Sequence, residues 1–178
     1  KVWGKVEISG NAKVSGNVEM SGKAKVSGEA EVFGDAIVWD EVEVSGNAKV
    51  SGNAKVSGNA KVYDGAQVSG NALVWGSAEV YGKSKVSDNV QVSGRVLIDG
   101  RAQVSGDASI WGNAKVHHDA KISGNAKISG NTLVWGSAEV YGKSKVTDNT
   151  RVGGNSKVSG NAEVFGNAQV SGNAKISG

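Results

Sequence analysis

The chain is predicted to be all-β, a single-stranded parallel β-solenoid running without a break through all 178 residues, with three hexapeptides to the coil. Three observations predict it. The stretch from Val44 to Ala60 reads V-S-G-N-A-K-V-S-G-N-A-K-V-S-G-N-A, an aliphatic residue recurs at every sixth position, and the outward charges come into register only if 18 residues close a coil.

Within the repeat, Ala48, Val50, Ala54 and Val56 alternate with Lys49, Ser51, Lys55 and Ser57. Alternation at period two followed by a turn signal describes a short strand with Ala and Val on one face and Lys and Ser on the other. Gly52 and Asn53 then bend the chain, since glycine lacks a Cβ and asparagine tolerates positive φ better than other side chains.

The step of six holds from Val2 through Ile8, Val14, Met20 and Val26 to Ile176, which is 30 aliphatic anchors with no insertion. Four residues after each anchor stands a second inward position. It is usually Ala, with Val, Ser or Thr as the variants, as at Val90, Ser84 and Thr132. Repetition has to build the core, because aromatic residues are only 6% of the chain and glycines number 27.

Charge decides how many hexapeptides make a coil. The outward residue before each anchor runs Lys1, Glu7, Lys13, Glu19, Lys25, Glu31, Ile37, Glu43, Lys49. Residues one coil apart in a parallel solenoid stack about 4.8 Å apart, where opposite charges help and like charges hurt by a few tenths of a kcal/mol or so. An 18-residue coil stacks ten opposite-charge pairs and only two like pairs, Lys127 with Lys145 and Lys157 with Lys175, whereas a 12-residue coil gives five opposite and eight like. Roughly ten coils then make a rod about 47 Å long, with Asn47, Asn53 and Asn59 expected to join side-chain ladders at the corners.

The V-S-G-N-A-K units, with an aliphatic anchor and a small residue four later, resemble the hexapeptide repeats of left-handed parallel β-helix proteins, and the resemblance covers essentially the whole chain. It implies a left-handed triangular prism. The best-known members are acyltransferases, while the texture is nearest to uncharacterised bacterial and phage proteins with long G-N-A-x-V arrays. Enzymes of that family build their sites from loops thrown out of the coils and a C-terminal helix, at trimer interfaces. This sequence has no such loop, and it usually places Ser directly after the anchor where the family often has Gly, as only Val152-Gly153 does here.

Composition narrows the function classes. A net charge of +3 is spread along the chain with alternating sign and no basic cluster, which argues against nucleic-acid binding. No long apolar run exists that would span a membrane. Cysteine is absent, so disulfides and thiolate metal sites are not available and the compartment is not readable. Lys1 opens without Met and Gly178 stops inside a repeat, which reads as part of a longer or processed protein whose end caps are missing or minimal.

The position after the anchor also points outward. On one face it reads Trp3, Ser21, Trp39, Ser57, Trp75, Ser93, Trp111, Ser129, Thr147 and Phe165, so a tryptophan recurs at every second coil, about 9.6 Å apart. Ile37 beside Trp39 and Leu73 beside Trp75 make the stripe unusually apolar. It is a binding surface for a neighbouring rod, another protein or an extended polysaccharide, or else a relic of repeat duplication that covers the backbone. Duplication is evident: Gly70 to Val86 returns at Gly130 to Val146 with only Ala72 changed to Thr132, an offset of 60 residues that is no whole number of coils and moves Trp135 to a different face from Trp75.

His117 and His118 are the only histidines, with Asp119 next and Asp99 one coil before His117. They are weak catalytic candidates. A histidine is the general base in the resembled acyltransferases, since its pKa lies near neutrality, but no loop motif surrounds this pair. His118 stands where a turn Gly is usual and His117 where an outward Ser is usual, so solvated surface residues or a weak metal ligand are the competing accounts. No metal centre and no cofactor is expected, acetyl-CoA entering only if the chain is an incomplete or vestigial acyltransferase. The expectation is a structural or interaction rod, self-associating side by side or end to end, or contacting another protein or a glycan.

Overall fold

The computed structural model describes residues 1–178. Its 29 short strands stack into three parallel sheets, and each sheet takes every third strand of the chain. The first face runs from Glu19–Met20 to Glu163–Val164, extended at one end by a bridge from Val2 to Met20. The second runs from Glu7–Ile8 to Gln169–Val170 and the third from Lys13–Gly16 to Lys175–Ser177. Three faces and an 18-residue coil make a triangular prism of about ten coils. Glu43 pairs with Lys25 on one side and Lys61 on the other, the register that the charges dictate.

Backbone bonds run from coil to coil in a fixed step. Lys49 N donates to the Ala66 carbonyl at 2.8 Å and Ser51 N to that of Val68 at 2.9 Å, and this spacing recurs along the chain. Anchors and their small partners fill the prism: Val26, Val50, Val74, Ile98 and Ile122 are fully buried, as are Ala48, Ala54 and Ala102. Burying one Val contributes about 1.5–3 kcal/mol, so a column of them holds the stack without large side chains.

Polar substitutes at the small position are accommodated locally. Ser84 Oγ donates to the Tyr81 carbonyl at 2.8 Å and Thr132 Oγ1 to that of Ser129 at 2.6 Å. Each hydroxyl thereby reaches a corner carbonyl three residues back, which explains how Ser144, Thr150 and Ser156 can also be fully buried.

The corners differ from the expectation in two respects. Gly52 takes the left-handed conformation (φ 67°) while Asn53 does not; the non-glycine residues found there are Asp40, Asp64, Asp88, Asp148 and His118. Asp suits the position because its carboxylate reaches the next coil: Asp40 Oδ2 accepts from Gly58 N at 3.0 Å, and Asp88 Oδ2 from Gly106 N at 2.9 Å. Asn53 does head a ladder, donating to Asn71 (3.0 Å), which donates to Asn89 (2.9 Å), which donates to Asp107 (2.8 Å). Asn47 and Asn59 do not, since a ladder needs Asn or Asp in successive coils. Asn47 lies between Glu29 and Gly65, and Asn59 between Glu41 and Ser77. A second ladder runs instead through Asn113, Asn131, Asn149 and Asn167.

Seven of the ten opposite-charge stacks close into ion pairs, from 2.6 Å for Lys145–Glu163 to 3.9 Å for Lys1–Glu19 and Lys25–Glu7. Glu31 reaches both of its neighbours, Lys13 at 3.8 Å and Lys49 at 2.9 Å, but Lys25–Glu43, Lys61–Glu79 and Lys121–Glu139 do not close, because there the shared charge turns to its other partner. Lys25 turns to Glu7, Lys61 to Glu43 and Glu139 to Lys157.

Candidate functional surfaces

The first face carries the tryptophan column as a straight line. Trp39 N donates to Val56 O, Ser57 N to Val74 O, Trp75 N to Val92 O and Trp111 N to Ile128 O, so successive members sit directly one coil apart. Trp3 (51%), Trp75 (36%), Trp111 (39%) and Phe165 (65%) are exposed, and Trp39 is half-buried. Ser129, one coil on from Trp111, is buried. Ile37 and Leu73 occupy the parallel column before the anchor, both half-buried, with Lys55 paired between them. The result is a flat sheet with rings at every second row and serines between.

The second face holds a feature that attention to tryptophan alone misses, although the same 18-residue step would have found it. Its column after the anchor reads Tyr63, Tyr81, Asp99, His117, Trp135 and Gly153, six coils without a serine. The Tyr63 and Tyr81 rings are stacked, with centroids 4.8 Å apart and planes 1° from parallel. Tyr63 donates to Glu79 at 3.0 Å and Tyr81 to Asp99 at 2.7 Å. The bond to the Asp99 carboxylate, with burial second, pushes the Tyr81 phenol up to about 12. Burial first, then Glu79, raises Tyr63 as well.

His117 follows Asp99 in this column and is half-buried, while His118 is exposed at the corner with φ 62°. Their Nδ1 atoms face one another, and the rings lie 4.5 Å apart at 46°. Burial holds the His117 imidazole below its ordinary range; His118 and Lys115 push it the same way, and Asp99 opposes them. Because the Asp99 carboxylate already accepts from Tyr81, it is shared between two neighbours. His117 is thereby held toward its neutral form, which is competent to accept a proton. The structure brings the two histidines and Asp99 together and keeps all of them away from the tryptophan column. No three His, Asp or Glu side chains are grouped so as to hold a metal ion, and no helix is long and apolar enough to cross a membrane.

Residues 66–82 match the YdcK Beta solenoid repeat. Those residues run through the Trp75 row to Gly82, so the match spans about one coil of this solenoid. Among solved structures, UDP-N-acetylglucosamine acyltransferase from Arabidopsis is similar at 14% identity and TM-score 0.51, over 95% of this chain and 70% of that one. The Francisella novicida UDP-N-acetylglucosamine acyltransferase is similar at 14% identity and TM-score 0.46, over 92% of this chain and 62% of that one. The Campylobacter jejuni enzyme gives 14% and 0.43, over 92% and 68%. No curated protein matches the chain in sequence. The likeness is one of fold: this chain shares the parallel β-solenoid of the Arabidopsis enzyme, and a shared fold does not carry an activity with it.

Proposed function

We propose that the chain is a structural or interaction rod whose flat faces hold other molecules at fixed spacing, with the tryptophan face as its principal contact. What supports this is the alternation of Trp3, Trp39, Trp75 and Trp111 with serine along one exposed straight column. Exposed indoles on a rigid sheet supply large apolar contact area at little entropic cost, which is what contact surfaces use. The sheet fixes their interval at two strand spacings, about 9.6 Å, so a partner must itself be flat and periodic: a second rod, another protein, or an extended polysaccharide.

Replacing Trp39 and Trp75 together by Ala tests this. Retention on a polysaccharide matrix, or association followed by electron microscopy at rising protein concentration, weakens while the melting temperature stays close to that of the parent. Unchanged retention together with unchanged association overturns the proposal.

Acyl transfer is a second reading, favoured by the facing imidazoles of His117 and His118 on a fold shared with acyltransferases. Under it, His117 would take the acceptor's proton and acetyl-CoA would be the donor. Turnover of acetyl-CoA that disappears in the His117→Ala, His118→Ala variant supports it; turnover that survives clears both residues.

A further inference from the structure

We infer that the partner of the tryptophan face is a second copy of this chain, lying antiparallel with its two-fold axis along the strand direction between the rows of Trp75 and Ser93. This rests on the tryptophan face being a contact surface, and it specifies the occupant and the register. A two-fold axis in that direction sets each outward column against itself in reverse order. Because Trp and Ser alternate, only an axis between two rows puts rings opposite gaps. In the register proposed, Trp75 faces Ser93, Trp111 faces Ser57 and Trp39 faces Ser129 of the second copy, so the two combs interlock along the middle of the face, while at each end Trp3 meets Phe165 ring to ring.

An axis between the rows of Ser57 and Trp75 would also set rings against serines, and the column before the anchor chooses between the two. Lys1 comes to face Glu163, Glu19 faces Lys145, and Ile37 lies against the aliphatic stem of Lys127, with no like charges opposed. Within one chain Lys1 already pairs with Glu19 at 3.9 Å and Lys145 with Glu163 at 2.6 Å. Docking closes each pair against its opposite into a four-charge cluster whose own members alternate in sign along the column and across the interface, with Lys127 stacked outside it on Lys145. The cluster occurs at both ends of the contact.

Other registers lose this match. A shift by one coil sets Trp39 against Trp111 and Lys1 against Lys145, or in the other direction Trp75 against Trp111 and Glu19 against Glu163. A shift by two opposes Lys1 to Lys127, or Lys55 to Lys145. Parallel rods would set each column against the other, so that Glu19 meets Ser21 and Lys145 meets Thr147, with no ion pair formed. Like-charge juxtaposition of this kind selects against wrong partners and registers. A face about 43 Å long and about 15 Å wide buries roughly 600 Å² per copy, or about 1,200 Å² in total, which reaches the lower bound for a specific interface.

The test uses two charge reversals, Glu19→Lys and Lys145→Glu, both on exposed side chains so that folding is preserved; circular dichroism and the melting temperature confirm it. By sedimentation the parent chain is dimeric, each variant alone loses the dimer at the same concentration, and an equimolar mixture of the two variants regains it, since the mixed pair restores opposite charge at both ends. A parent that stays monomeric throughout, variants that dimerise as the parent does, or a mixture that fails to recover overturns the proposed dimer. If the dimer fails while Trp39→Ala with Trp75→Ala still weakens retention on polysaccharide, the contact face stands and its occupant is a glycan.

Discussion

The indole of Trp135 lies over the backbone of Gly153, one coil further along the second face, where a Cβ on that glycine would overlap the ring. Every other position directly after an anchor carries a side chain. Gly153→Val is therefore expected to displace the indole and cost about 1–3 kcal/mol, as overpacking does, with a fall in melting temperature and a red shift in tryptophan emission.

The interior should be far less forgiving than the surface. Val50 is fully buried in the third face, and Val50→Asp puts an unpaired carboxylate there at a cost of about 3 kcal/mol or more. Lys49, its outward neighbour, makes an exposed pair with Glu31 at 2.9 Å. Lys49→Gln should leave the melting temperature near that of the parent; equal melting temperatures for the two variants would contradict the inward and outward assignment.

Corner asparagines should be unequal. Asn71 both accepts from Asn53 and donates to Asn89, so Asn71→Ala breaks two bonds and is expected to cost about 1–2 kcal/mol by denaturant titration. Asn47→Ala, made outside any ladder, should cost clearly less.

Two windows of pH dependence follow from the second face. The His117 imidazole is held below its ordinary value of 6.5, so as pH falls the unfolded chain binds that proton first. Stability is full above about 6.5 and declines from there down to the folded value, and His117→Ser should flatten that decline. At the alkaline end the unfolded phenols ionise near 10 while Tyr81 ionises at about 12, with Tyr63 also raised. Stability should then fall as pH rises from about 10 to 12, and tyrosinate absorbance should develop late. Asp99→Asn removes the charged acceptor and should bring the onset of absorbance earlier.

Much of this fold is legible in the chain because its signal is redundant. From Val2 to Ile176 the aliphatic step never slips, and the Glu7, Lys25, Glu43, Lys61 column alone discriminates an 18-residue coil from a 12-residue one. What the residue types leave open is choice among equivalent neighbours. Glu139 lies between Lys121 and Lys157 and pairs with the latter, and Glu79 is taken by Tyr63 in preference to Lys61. Such choices turn on rotamers and differ by less than exposed ion pairs are worth. The Tyr81–Asp99–His117 line is different. Its members stand 18 residues apart and are readable by the same step, but none of them is apolar, so the hydrophobic pattern that reveals the coil is blind to them.

The returned segment from Gly130 to Val146 has a consequence for how such a prism changes over time. Any whole number of hexapeptides can be gained or lost without opening the interior, but unless that number is divisible by three, everything downstream swings round by one or two thirds of a turn. Deleting a single unit between Trp75 and Trp111 would keep the rod intact while carrying Trp111 to an adjoining side. Lengthening and re-aiming are thus separable edits in this architecture: triplets of units extend the ruler, and single units rotate what is printed on it.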